Sequence, residues 1–162
     1  MSLLPEMPLQ VFSTDNEKFE FRKIHGVGTW AVPNKPSAGL WTSSILNDSP
    51  FLSAWQEWCA NNEYHCGIHH FTLIPKTNLK VFEPDNLSDL RIIEPELPII
   101  PPSIDFAWYF HEGYDAFHVS DRILNMSADD IHPFHGWDCE STVWFNYDWI
   151  DCIKKLSYRS MR

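Results

Sequence analysis

Between Asn34 and Cys59 the chain sets out a strand, a hydroxyl-rich loop and a helix, and this succession limits what the remaining residues can build. A proline-led turn leads into Gly39-Leu40-Trp41-Thr42-Ser43-Ser44, a short run of strand composition. Ser49 predicts the N-cap of the helix and Pro50 its first position, where a missing N–H would have been unpaired anyway. Phe51, Leu52, Trp55, Trp58 and Cys59 then share one helical face, which needs a sheet to pack on.

The flanking sequence supplies short strands separated by proline, glycine and asparagine. Residues 1–16 alternate prolines with apolar residues and predict an extended N-terminal arm. Alternating Phe19 and Phe21 predict a first strand over Lys18–His25, ended by Gly26 and Gly28, and Pro33 and Pro36 keep the next connection extended. Further strands are expected at Ile68–Ile74, Leu79–Phe82, Tyr114–Val119 and Ser141–Phe145, with Glu140 at the entrance of the last. Asn86 caps a single turn through Leu87–Leu90, and Pro95, Pro98, Pro101 and Pro102 form a stiff connector. Ser103 predicts the cap of a helix through Ile104, Ala107, Trp108 and His111. Trp149, Ile150, Ile153 and Leu156 form a terminal helical stripe, and the segment from Ser120 to Gly136 is polar and without clear pattern. The fold class that follows is α+β: one domain over residues 1–162, with mainly antiparallel sheets and a few short helices.

Composition narrows the function classes. With 44% hydrophobic residues and 15% aromatics, eight of them Trp, the chain carries enough apolar material for a large core. A net charge of −10 argues against non-specific nucleic-acid binding, which rests on clustered Lys and Arg. A soluble, cytoplasmic protein is the expectation, since no basic-then-apolar leader is present and no apolar run approaches the roughly 20 residues of a membrane span. The cysteines Cys59, Cys66, Cys139 and Cys152 contain no Cys-x-x-Cys pair and are read as reduced thiols. His65, Cys66, His69 and His70 form one group of metal-ligand types, and His132, His135 and Cys139 another, but neither has a zinc spacing, so no metal is expected. Phosphate-loop, dinucleotide-fold and nucleophile-elbow glycine patterns are absent.

In order along the chain, His25-Gly26, the strand Gly39-Leu40-Trp41-Thr42-Ser43 with its following helix, and Glu140-Ser141-Thr142-Val143-Trp144-Phe145-Asn146 resemble the ADP-ribosyltransferase superfold, shared by poly-ADP-ribose polymerases and diphtheria-toxin-like enzymes. The resemblance implies split antiparallel sheets with NAD in the cleft between them. It also implies nicotinamide release with transfer of ADP-ribose to an acceptor, whether protein, nucleic acid or small molecule, or to water. Glu140 would be the catalytic carboxylate, because an oxocarbenium-like sugar is stabilised by a nearby carboxylate. Trp41 and the backbone at Gly26 would take the nicotinamide, His25 the adenosine-side ribose, and Ser43 would line the same site. Another branch of the superfold uses an Arg on the first strand, a Ser-Thr-Ser run on the second, and an acidic or amide residue two before the glutamate. Arg22, Thr42-Ser43-Ser44 and Asp138 echo it, and Asp138 would then position the incoming nucleophile. On a regular strand Arg22 and His25 face opposite ways, so only one of them lines the site, with His25 the choice for its Gly26.

A different class of function stays open beside the enzyme: a non-catalytic interaction module that presents an aromatic-rich surface to a protein partner. Taken singly, Trp41, Trp55 and Trp58 have the spacing of core rings, and Lys35 is a solvated loop charge or a contact for pyrophosphate, with solvent favoured.

Overall fold

The computed structural model describes residues 6–30, 34–97, 102–126 and 133–156, together with the backbone of 2–3. In chain order the elements are β1 (Ser2–Leu3), β2 (Gln10–Thr14), β3 (Thr29–Trp30), β4 (Lys35–Pro36), β5 (Leu40–Ser44), α1 (Ala54–Asn61), β6 (His69–Pro75) and β7 (Val81–Glu83). A 3₁₀ turn at Leu87–Asp89 follows, then β8 (Ile92–Ile93), β9 (Ser103–Ile104), α2 (Phe106–His111), β10 (Ala116–Val119), α3 (Asp121–Leu124), β11 (Ser141–Trp144) and β12 (Ile150–Lys155).

Eight of the strands form one sheet in the order β1-β7-β10-β11-β5-β2-β6-β12. The domain is α+β. In place of two separate antiparallel sheets the chain builds a mixed one, because β7 and β10 run parallel and are joined through α2, the kind of crossover a parallel pair needs. The sheet narrows at its middle: β5 pairs with β2 only through Gln10↔Ser44 and Val11↔Ser43. Beyond those two pairs β2 stays with β6, up to Thr14↔His69, and β5 stays with β11, up to Leu40↔Trp144. The strands therefore part at Phe12–Thr14 and Leu40–Thr42.

Period-2 alternation feeds a core on each face of the sheet. Phe82, Phe117 and Val143 point into one, completed by Phe106 and Tyr109 of α2, Ile123 of α3 and the rings of Phe134 and Trp137. Their sequence neighbours Val81, Ala116 and Trp144 point into the other, with Leu73 and with Trp149 stacked on Trp144 at 3.6 Å. Each large side chain fully buried in this way contributes roughly 1.5–3 kcal/mol.

Several expected elements shift, each for a reason visible in its partners. The predicted arm holds β2, a central strand with five register pairs to β6. Lys18–His25 forms no strand, and Phe19 and Phe21 instead set their ring edges against each other and Tyr147. The helix begins later than Ser49-Pro50: an Ile45–Ser53 bridge closes residues 46–52 into a loop, and Ser53 Oγ caps α1 by accepting from Gln56 N at 3.3 Å. Ser103 enters β9 against β8, and Asp105 caps α2 by accepting from Trp108 N. The terminal stripe is the edge strand β12, where a register shift between Ile150 and Cys152 moves the side-chain alternation and reproduces a helix-like spacing. Pro33, Pro98, Pro101 and His132 lie outside the described residues. The strands at Leu40–Ser44, His69–Pro75, Val81–Glu83, Ala116–Val119 and Ser141–Trp144 fall where the sequence puts them. No helix among the described residues is long and apolar enough to cross a membrane.

Candidate functional site: an aromatic cleft where the sheet parts

On β5 the side chains of Trp41 and Ser43 leave one face of the sheet and those of Leu40, Thr42 and Ser44 the other. Above Trp41 and Ser43, where β2 and β5 part, lies a cavity of about 430 Å³. Its lining includes Val11, Phe12 and Ser13 of β2, Cys139 before β11 and Ser141 at its start, and the rings of Trp30, Trp55, Tyr64 and Trp137.

The rings are held from outside the cavity. Trp41 and Trp137 meet at 4.9 Å between centroids, and Trp137 Nε1 donates to the Asn34 carbonyl at 2.9 Å. Asn34 is itself buried at a positive φ of 52°, with its side chain accepting from Ile104 N and donating to the Pro133 carbonyl, both at 2.8 Å. On the opposite wall Trp55 stacks on Trp58 at 5.3 Å, and Tyr64 sets its edge against both.

Two charged groups face the rings. Lys35 is no solvated loop charge: its side chain is only 25% exposed, lies 5.6 Å from the Trp41 ring centroid and approaches the Asp138 carboxylate at 3.9 Å. Asp138, with a 41% exposed side chain, is the carboxylate that lines the cavity. Burial pushes the Cys139 thiol up to about 11, which keeps it protonated and unreactive at neutral pH.

Glu140 turns the other way. It lies just before β11, outside the β5–β11 register, and its side-chain hydrogen bonds carry it to Ser44 and His118. Its carboxylate accepts from Ser44 N at 3.0 Å and Ser44 Oγ at 2.8 Å, and contacts His118 Nε2 at 2.8 Å. His118 Nδ1 meets Glu83 at 2.7 Å. Burial pulls the His118 pKa down, but the hydrogen bonds and charges of Glu140 and Glu83 outweigh it and raise the value to about 9, so the imidazolium bridges two carboxylates at neutral pH. From Ser44 the network crosses to β2: Gln10 Nε2 donates to Ser44 Oγ, Thr42 Oγ1 donates to Gln10 Oε1 at 2.6 Å, and Trp144 Nε1 donates to Thr42 Oγ1 at 2.8 Å. These bonds tie β7, β10, β11, β5 and β2 together where the sheet is narrowest.

The structure thus brings Trp41, Ser43 and Asp138 to one cavity and leaves the other expected residues elsewhere. Glu140 touches the cavity wall through its backbone alone, its carbonyl accepting from Ser43 Oγ at 2.7 Å. Arg22, His25 and Gly26 are exposed, lie outside any strand and do not line the cleft, so strand alternation does not set where Arg22 and His25 point. The residues the sequence reading missed are Val11 and Ser13, hidden in the supposed arm, and Trp137 and Cys139, adjacent to the Asp138–Glu140 pair. The suspected metal ligands have separate partners: His65 pairs with Asp15 and His70 with Ser13, each at 2.7 Å. No group of three or more His, Cys, Asp or Glu among the described residues is placed to hold a metal ion.

Fold and site together define an α+β domain with an aromatic cleft at the parting of a mixed sheet. Protein-family models, curated proteins and solved structures give no match to this chain.

Proposed function

We propose that the aromatic cleft binds NAD and that the protein is ADP-ribosyltransferase-like, releasing nicotinamide and passing ADP-ribose to an acceptor. The observation that carries this reading is the meeting of Trp41, Ser43 and Asp138, three residues implied by the resemblance, in one ring-lined cavity. A pyridinium ring is flat and cationic; Trp faces and a neighbouring carboxylate complement it, while Ser43 and Ser141, whose hydroxyl protons go to the Glu140 and Cys139 carbonyls, keep oxygen lone pairs that can accept from a carboxamide N–H or a ribose hydroxyl. Breaking the bond to ribose leaves positive charge on the sugar, which a carboxylate at the rim stabilises. Asp138 has that position, so we assign it the electrostatic role and make Glu140 a positioning residue that locks β5 to β11 beneath the cleft. Titration with NAD, followed by intrinsic Trp fluorescence, and a nicotinamide-release assay on the wild type and Asp138→Asn test this. Binding with release that Asp138→Asn abolishes supports the reading, and failure of NAD to bind removes it.

A second reading keeps the cleft without the chemistry. Trp30 and Tyr64 line it and are 60% and 58% exposed, which suits an interaction module that takes an aromatic or cationic group from a protein partner. NAD binding with no release, unchanged by Asp138→Asn, favours this module.

A further inference from the structure

A second cavity, of about 320 Å³, opens at the same parting of β2 and β5 and shares Phe12 and Trp41 with the aromatic cleft. Its chemistry is different. Lys18, Arg22 and Lys23 line it against one carboxylate, Glu20, and that carboxylate is taken by Arg22 Nε at 3.0 Å. In a chain of net charge −10 this excess of cations is a local reversal of sign. The aromatic cleft, by comparison, matches Lys35 with Asp138, and a third cavity near α1 is lined by Glu57, Asp121 and Asp138 with no Lys or Arg.

The segment that carries these cations is built rather than loose. It has no secondary structure, yet Phe19 packs on Phe12, Phe71 and Tyr147 with ring centroids 5.5–6.4 Å apart, and Phe21 packs on Tyr147 at 5.4 Å. Tyr147 Oη donates to the Arg22 carbonyl at 2.6 Å. The rings pin the segment to the sheet, and the cations between them remain at the cavity.

We propose that this second cavity is a phosphate subsite, occupied by the pyrophosphate of a ligand whose aromatic end lies across Trp41 in the first. The inference rests on the NAD reading for the identity of that ligand, but the phosphate chemistry stands on Lys18, Arg22 and Lys23. The test is calorimetric titration of the whole protein with NAD, ADP-ribose, nicotinamide and inorganic pyrophosphate. The wild type is compared with Lys18→Ala/Lys23→Ala and with Trp41→Ala. Both lysines are exposed, and an unchanged melting temperature verifies that the double variant folds. Pyrophosphate and ADP-ribose binding should weaken roughly twofold to thirtyfold in the double variant, as expected for two exposed ion pairs. It should also weaken with added salt, while nicotinamide binding is unchanged. Pyrophosphate that fails to bind the wild type, or binds the double variant equally well, overturns the phosphate subsite; NAD binding that still depends on Trp41 would then leave the proposed function standing. Lysine-dependent pyrophosphate binding without NAD binding keeps the subsite and removes the NAD reading.

Discussion

The two faces of β5 differ in kind although they share a backbone. Trp41 and Ser43 look onto an open, ring-lined cavity; Ser44, one residue further, belongs to a closed network in which Glu140, His118, Gln10 and Thr42 satisfy one another. The contrast assigns the two carboxylates of the Asp138–Glu140 pair to different work. A partly exposed carboxylate beside a cavity is available to a ligand, whereas a buried one with its hydrogen bonds made is a structural tie whose loss leaves charge uncompensated.

The severest way to break that contrast is to remove His118. His118→Ala leaves Glu83 and Glu140 close together without their bridging cation, and we expect a loss of about 3–5 kcal/mol in urea unfolding. The same residue sets a pH dependence. Its folded pKa is raised from 6.5 to about 9, so its stabilisation is fully present below pH 6.5 and is lost as pH rises through about 9. Unfolding free energy should therefore fall by roughly 3 kcal/mol between those limits, and in His118→Ala that fall should disappear. On the open face the effects are smaller in stability and larger in binding. Trp41→Ala removes a half-buried ring and uncovers one side of Trp137; NAD affinity should drop about tenfold or more, with a stability loss below the roughly 3–5 kcal/mol of a fully buried Trp.

How much of this was legible in the sequence depended on the range of the interactions. β5, β6 and β11 announce themselves because aromatic and β-branched residues crowd into short runs bounded by turn residues. β2 does not: Gln10–Thr14 is an ordinary stretch among prolines, and it becomes a central strand only through pairing with His69–Leu73, far along the chain. β12 carries a misleading period because its bulge reorders the alternation. The site was half legible for the same reason. Trp41 and Ser43 alternate within a regular strand and can be placed on one face. Asp138 and Glu140 precede β11 in irregular backbone, where spacing does not fix direction, and the choice between them is made by Ser44 and His118, partners that no local pattern identifies. Phe19 and Phe21 have strand alternation, yet the partners that hold them are rings rather than a neighbouring strand.

The division of labour between the two carboxylates is tested most directly by measuring nicotinamide release and urea stability together in Asp138→Asn and Glu140→Gln. Asp138→Asn should unfold within about 0.5 kcal/mol of the wild type and release no nicotinamide. Glu140→Gln should lose about 1–3 kcal/mol of stability and release nicotinamide in proportion to the fraction folded. A Glu140→Gln protein of wild-type stability that releases none, beside an active Asp138→Asn, would overturn this division and return the catalytic role to Glu140.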